Sequence, residues 1–116
     1  MAILLTSLLR LLSVCCLAAV LAPLARADDL PTFELRILDG RFEPAAIVVP
    51  ANTKFRLRIR NESRGPEEYE SYSPRKEKVL APGASSFLIY QPLAPGRYPF
   101  FGDFHPDTMR GEIVAK

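Results

Sequence analysis

Two stretches of the chain alternate without a break between apolar and polar positions. In TFELRILDG, Phe33, Leu35 and Ile37 share one side, and Glu34 and Arg36 share the other. In KFRLRIRN, Phe55, Leu57 and Ile59 alternate with Lys54, Arg56, Arg58 and Arg60. Successive side chains of a strand point to opposite faces, so each stretch reads as a half-buried strand of an antiparallel sheet. EPAAIVVPANT supplies a shorter apolar strand around Ile47 to Val49, closed by Pro50 and a turn at Ala51-Asn52. After Asn61 comes the polar, turn-rich stretch NESRGPEEYESYSPRKEK. Strand pattern returns at Lys78 to Leu80, and SSFLIYQP, RYPFF and MRGEIVAK complete the set, with Ala81-Pro82-Gly83 and Ala94-Pro95-Gly96 as turns. The pattern predicts about seven short strands and no helix beyond residue 27. Two sheets packed face to face bury that many half-apolar strands, so the expected class is an all-β sandwich.

The first 27 residues change the picture of what folds. LLSVCCLAAVLAPL, residues 11–24, follows Arg10 and precedes Ala25-Arg26-Ala27, an A-x-A cleavage signal. It is shorter than the roughly 20 apolar residues of a membrane span. The expectation is a signal peptide over 1–27, cleaved after Ala27, and one exported, soluble domain over 28–116. Both cysteines, Cys15 and Cys16, fall in the leader, so the domain has neither disulfide nor thiolate. Two of the 15 basic residues, Arg10 and Arg26, also fall there, leaving 13 of each sign. That balance speaks against nucleic acid, whose binders carry a basic excess.

Candidate chemistry collects in two segments. YPFFGDFHPDTMRGE holds the single histidine, His105, with Asp103 before it and Met109 after it. PEEYE holds Glu67, Glu68 and Glu70. In an extended segment Glu68 and Glu70 share a face, as do Asp103 and His105. Carboxylates with one imidazole suit iron, or copper in the cupric state, because hard donors stabilise the higher charge. Each residue also has an ordinary reading: a solvated acidic loop, a hydrogen-bonding histidine, a core methionine. No Cys/His pair, Ser/His/Asp set or glycine-rich phosphate loop points to a hydrolase or transferase. The only catalytic option left open is a part in ferrous iron oxidation. The row Lys54, Arg56, Arg58, Arg60 reads as a solvated face that blocks edge pairing, or as a dock for an acidic partner.

PGRYPFFGDFHPDTMRGEIVAK, together with FEPAAIVVPANTKFRLRIRN, resembles the cupredoxin fold. The resemblance implies a Greek-key β-sandwich with ligand loops at one end. His105 and Met109 match the last two ligands of a blue-copper site. Gly102 stands at the cysteine position, and Pro66-Glu67-Glu68-Tyr69-Glu70 stands where the first histidine is expected. The implied ion is therefore copper or iron, not a type 1 blue-copper centre. EEYES, RKEKVLAPG and LAPGRYPFFGDFHPDTMRG resemble cupredoxin-like proteins encoded with bacterial iron permeases. These are the FtrB-type subunit of ferrous iron uptake systems and the N-terminal domain of EfeO-type proteins. That resemblance implies a periplasmic accessory protein handling iron or copper, with a periplasmic iron-binding protein and an inner-membrane iron permease as partners. Carried over residue by residue, it points to Glu68, Glu70, Asp103 and His105, with Met109 and the adjacent Glu67. Glu77 matches the family pattern without revealing which way it faces. The alternatives are a periplasmic copper carrier or sequestering protein, and a metal-free module that binds a partner protein. The two segments are expected to converge so that Glu68 and His105 clasp a single cation.

Overall fold

The computed structural model describes residues 29–116. The leader expected over 1–27 lies outside the described residues. Nine strands form two sheets: β1 (Thr32–Leu38), β2 (Arg41–Glu43), β3 (Ala46–Val49), β4 (Phe55–Asn61), β5 (Glu67–Tyr72), β6 (Arg75–Leu80), β7 (Ser85–Tyr90), β8 (Gly96–Phe101) and β9 (Arg110–Ala115). The four-stranded sheet runs β2-β1-β4-β7 and the five-stranded sheet β3-β9-β8-β5-β6. The all-β sandwich is as expected, with two strands more than the pattern announced. β2 is three residues long, too short to show a period. β5 reads EEYESY and buries Glu67, Glu68, Tyr69 and Ser71 alike, so its polar and apolar positions do not alternate.

The strict alternation of β1 and β4 sets their faces. Leu35, Ile37, Phe55, Leu57 and Ile59 are fully buried, while Glu34, Arg36, Arg58 and Arg60 are exposed. The expected antiparallel pairing fails here: β1 and β4 run parallel, with Thr32 beside Arg56 and Arg36 beside Arg60. β3 and β9 are also parallel. Alternation fixes which face is buried but carries no information on strand direction.

The core between the sheets is rich in rings. Phe55 stacks on Tyr90 at 4.9 Å with an interplanar angle of 6°, and Phe42 meets Phe100 edge-on at 4.9 Å. Tyr69 of one sheet and Tyr90 of the other share a hydrogen bond of 2.5 Å between their hydroxyls. A buried hydroxyl without a partner costs free energy, and each of these satisfies the other. Tyr69 thereby anchors the middle of β5 in the core, which fixes the direction of every other side chain on that strand.

Candidate metal centre

Because Tyr69 and Ser71 point inward from β5, Glu68, Glu70 and Tyr72 point outward. Register places Val79, Glu77 and Arg75 of β6 opposite these three, and Phe101 of β8 opposite Glu70. Glu77, whose direction the sequence left open, therefore shares the outer face of the five-stranded sheet with the other acids. Glu68 and Glu70 each bring a carboxylate oxygen within 4.8 Å of one another and of Asp103, a grouping able to hold a cation.

Glu68 is the unusual member. It is only 5% exposed although it lies on an outer face. Burial first, then a hydrogen bond and charge from Glu70, then the charges of Asp103 and Glu77, push its carboxyl from 4.5 up to about 7. Its Oε1 is buried with no hydrogen-bond partner. A buried oxygen without a donor is among the more costly groups a fold can carry. A cation at this point would supply the missing partner and offset the mutual repulsion of the carboxylates.

The end of the sandwich is organised separately. Glu67 lies on the inward side of β5, and its carboxylate is 3% exposed. Its Oε2 stands 3.1 Å from Nδ1 of His105, whose side chain is about half exposed. Two loops position this pair. Asn61, the last residue of β4, is fully buried, and its Nδ2 donates to the carbonyls of Gly65 at 2.9 Å and Leu80 at 3.0 Å. Its Oδ1 accepts from the Ser63 amide at 2.9 Å, so the turn leading into Glu67 is pinned at two points and tied to the end of β6 at a third. The segment between β8 and β9 closes on itself. The His105 amide donates to the Gly102 carbonyl at 3.2 Å, and the Met109 amide to the His105 carbonyl at 2.8 Å. Thr108 Oγ1 donates to the Gly40 carbonyl at 2.6 Å.

That closed loop corrects the expectation of one clasp. Asp103 and His105 would share a face in an extended segment, but the chain turns between them. Asp103 goes to the outer acids and His105 to Glu67. Among the described residues His105 does not join the group formed by Glu68, Glu70 and Asp103. The acids expected on a ligand loop lie on a strand. Met109 is fully buried in the core cluster. A Cβ built on Gly102 would stand 2.6 Å from the Met109 methyl and 2.8 Å from the Glu68 carbonyl oxygen. The space of the thiolate is thus filled by a methyl group and backbone. No cysteine occurs among the described residues, and type 1 copper does not fit this chain.

Comparison with known proteins agrees with this architecture. The chain belongs to the family described as cupredoxin-like domain, whose profile matches residues 10–115. It is 41% identical over 88 residues to the uncharacterized protein RP394 of Rickettsia prowazekii (strain Madrid E), an alignment covering 76% of this chain and 70% of that one. Among solved structures it resembles auracyanin A, a "blue" copper protein from Chloroflexus aurantiacus. The TM-score is 0.62 at 17% identity, covering 73% of this chain and 98% of that one. Amicyanin from Paracoccus versutus gives 0.60 at 15% identity, covering 79% and 85%. At such identities the likeness concerns the fold.

Proposed function

We propose that this protein binds a hard cation, ferric iron or cupric copper, through Glu68, Glu70 and Asp103. Three carboxylates offer oxygen donors only, which favours a cation of high charge over cuprous ion. The observation that carries the reading is the buried, unpartnered Oε1 of Glu68 within that group. Copper held there would supply one-electron redox chemistry, while iron is cargo. The chain's own contribution is to gather carboxylates on a rigid strand and to keep one of them dry.

The resemblance to proteins encoded with iron permeases supports a role for this cation in ferrous iron uptake. In this reading the protein works in the periplasm, assists oxidation of ferrous iron, and passes the product by way of a periplasmic iron-binding protein to an inner-membrane permease. Glu67 and His105 form a second, mixed oxygen and nitrogen pair near the same end of β5, suited to a borderline ion.

Calorimetric titration of the purified protein with Cu²⁺ and with a weak ferric chelate tests the binding. The expected result is saturable binding that Glu68→Gln weakens strongly. Equal affinity in the wild type and a Glu68→Gln, Glu70→Gln variant would end the reading. Normal growth on limiting ferrous iron after deletion of the gene would remove the iron uptake role and leave the binding standing.

A further inference from the structure

The five-stranded sheet has one thin joint. β5 pairs with β6 from Glu67 to Tyr72, and β8 pairs with β9 from Gly96 to Phe101. Between β5 and β8 the register has a single pair, Glu70 with Phe101, among the described residues. The Gly102 amide donates to the Met109 carbonyl, just before β9, at 2.9 Å. Amides alternate in direction along a strand, so the Phe101 amide faces β5, as would one at position 99. Pro99 stands there and has no N–H to donate. Beyond Phe101 the chain leaves the sheet for the closed loop that ends at Met109. The β5–β6 hairpin is held from elsewhere. Tyr69 shares its hydrogen bond with the Tyr90 hydroxyl, and Lys76 Nζ donates to the Ile89 carbonyl at 2.8 Å. Two features of the outer face cross the joint. The rings of Tyr72 and Phe101 meet at 5.1 Å, and Asp103, beyond β8, gathers with Glu68 and Glu70 of β5.

We infer, on the reading that Glu68, Glu70 and Asp103 hold a cation, that the ion is a staple across this joint: it closes β5 on β8, and the joint loosens when it leaves. Two of the donors stand on one side and the third on the other, so binding draws the two strands together. Without the cation, Glu70 and Asp103 are like charges on opposite sides, and their repulsion acts where few backbone bonds resist it. The buried Oε1 of Glu68, left without a hydrogen-bond partner, shows that this face is not completed by its own side chains. Glu77 adds charge to the same face, but it lies on β6, on the Glu68 side of the joint, and cannot bridge it. Opening removes one donor of the three, and that difference in affinity is what shifts the joint toward its closed state.

Hydrogen exchange read by mass spectrometry at single amides, on metal-free protein and on protein saturated with Cu²⁺, provides the test, with calorimetry on the same preparation. In the metal-free protein the Glu70 and Phe101 amides exchange about tenfold or more faster than that of Tyr98, which faces β9. Saturation with Cu²⁺ slows the two joint amides about tenfold beyond any slowing common to the whole chain, which a ligand gives through global stability alone. Asp103→Asn, loaded with Cu²⁺ through its remaining carboxylates, loses that excess. Glu77→Gln keeps it at saturating Cu²⁺. Joint amides as slow as Tyr98 in the metal-free protein overturn the thin joint with no metal involved. Uniform slowing along the chain, or the same excess in Asp103→Asn, with binding seen by calorimetry, overturns the staple and leaves the cation reading standing. Absence of binding by calorimetry overturns both.

Discussion

The two acidic regions of β5 begin at adjacent residues in sequence and are separated by the thickness of the strand in space. Glu68 faces outward into a group of like charges, and its Oε1 is left without a donor. Glu67 faces the end of the core and has an imidazole 3.1 Å away. One carboxylate is completed by the chain itself, and the other is left to be completed from outside. At the sandwich end, where the family resemblance locates blue copper, Gly102 and Met109 pack so closely that no thiolate fits. Metal chemistry, in the reading proposed here, has moved from the end of the sandwich to the side of a sheet.

The sharpest way to break this contrast is to restore the missing cysteine. In Gly102→Cys the new Cβ meets both a core methyl and a backbone carbonyl, and only the methyl can shift. Overpacking of this kind costs about 1–3 kcal/mol, and contact with backbone places this variant at the upper end. A markedly lowered melting temperature and no intense blue absorption on adding Cu²⁺ are expected. A stable variant that turns blue would show the end of the sandwich to be open after all.

Next in size is the outer group. The Glu68 carboxyl is raised from 4.5 to about 7, so the folded protein holds a proton there that the unfolded chain releases across that window. Stability from this group is full below about pH 4.5 and is lost as pH rises through about 7. The metal-free protein should therefore lose stability between about pH 4.5 and pH 7 relative to Glu68→Gln, which has no such proton. A bound cation reverses the sign, because it favours the charged form. Metal should raise the melting temperature more at the higher pH, and a chelator should abolish the rise. Parallel melting curves for wild type and Glu68→Gln across that range would contradict the burial of this carboxyl.

How much of this was legible in the chain follows from where alternation holds. β1 and β4 announced themselves because one side of each is dry and the other wet. β5 did not, because buried acids on both of its faces, Glu67 and Glu68, make the strand resemble a polar loop. Period two correctly put Glu68 and Glu70 together, since both lie on a regular strand. The same rule failed for Asp103 and His105, since hydrogen bonds within Gly102–Met109 turn the chain between them. Asn61 carried a quieter signal. A fully buried asparagine that ties three backbone groups is a positioning residue, and its place at the end of an alternating strand, where the resembling segment FEPAAIVVPANTKFRLRIRN closes, was a hint of it.

A smaller effect separates the inner pair from the outer group. Removing the imidazole in His105→Ala leaves the Glu67 carboxylate almost buried and without its partner, a change worth about 1–2 kcal/mol. Cation affinity at Glu68, Glu70 and Asp103 should be unaffected by it. Melting curves and Cu²⁺ or Fe³⁺ titrations on one preparation read both quantities. A large loss of affinity with little loss of stability would rejoin the two regions into one site.

The smallest predicted change tests what Met109 is for. Its side chain is fully buried in the core cluster, and its methyl fills the space that a side chain at Gly102 would take. Leucine has nearly the same volume and no sulfur. If packing is the whole role, Met109→Leu costs less than about 1.5 kcal/mol, the range for volume-conserving exchanges in a core. Affinity for Cu²⁺ then stays unchanged, because no donor has been removed from the outer carboxylates. A thioether ligand would behave in the opposite way: stability would hold while affinity, above all for cuprous ion, fell sharply. The fully buried position of Met109 and the separation of His105 from the outer acids both favour the packing outcome.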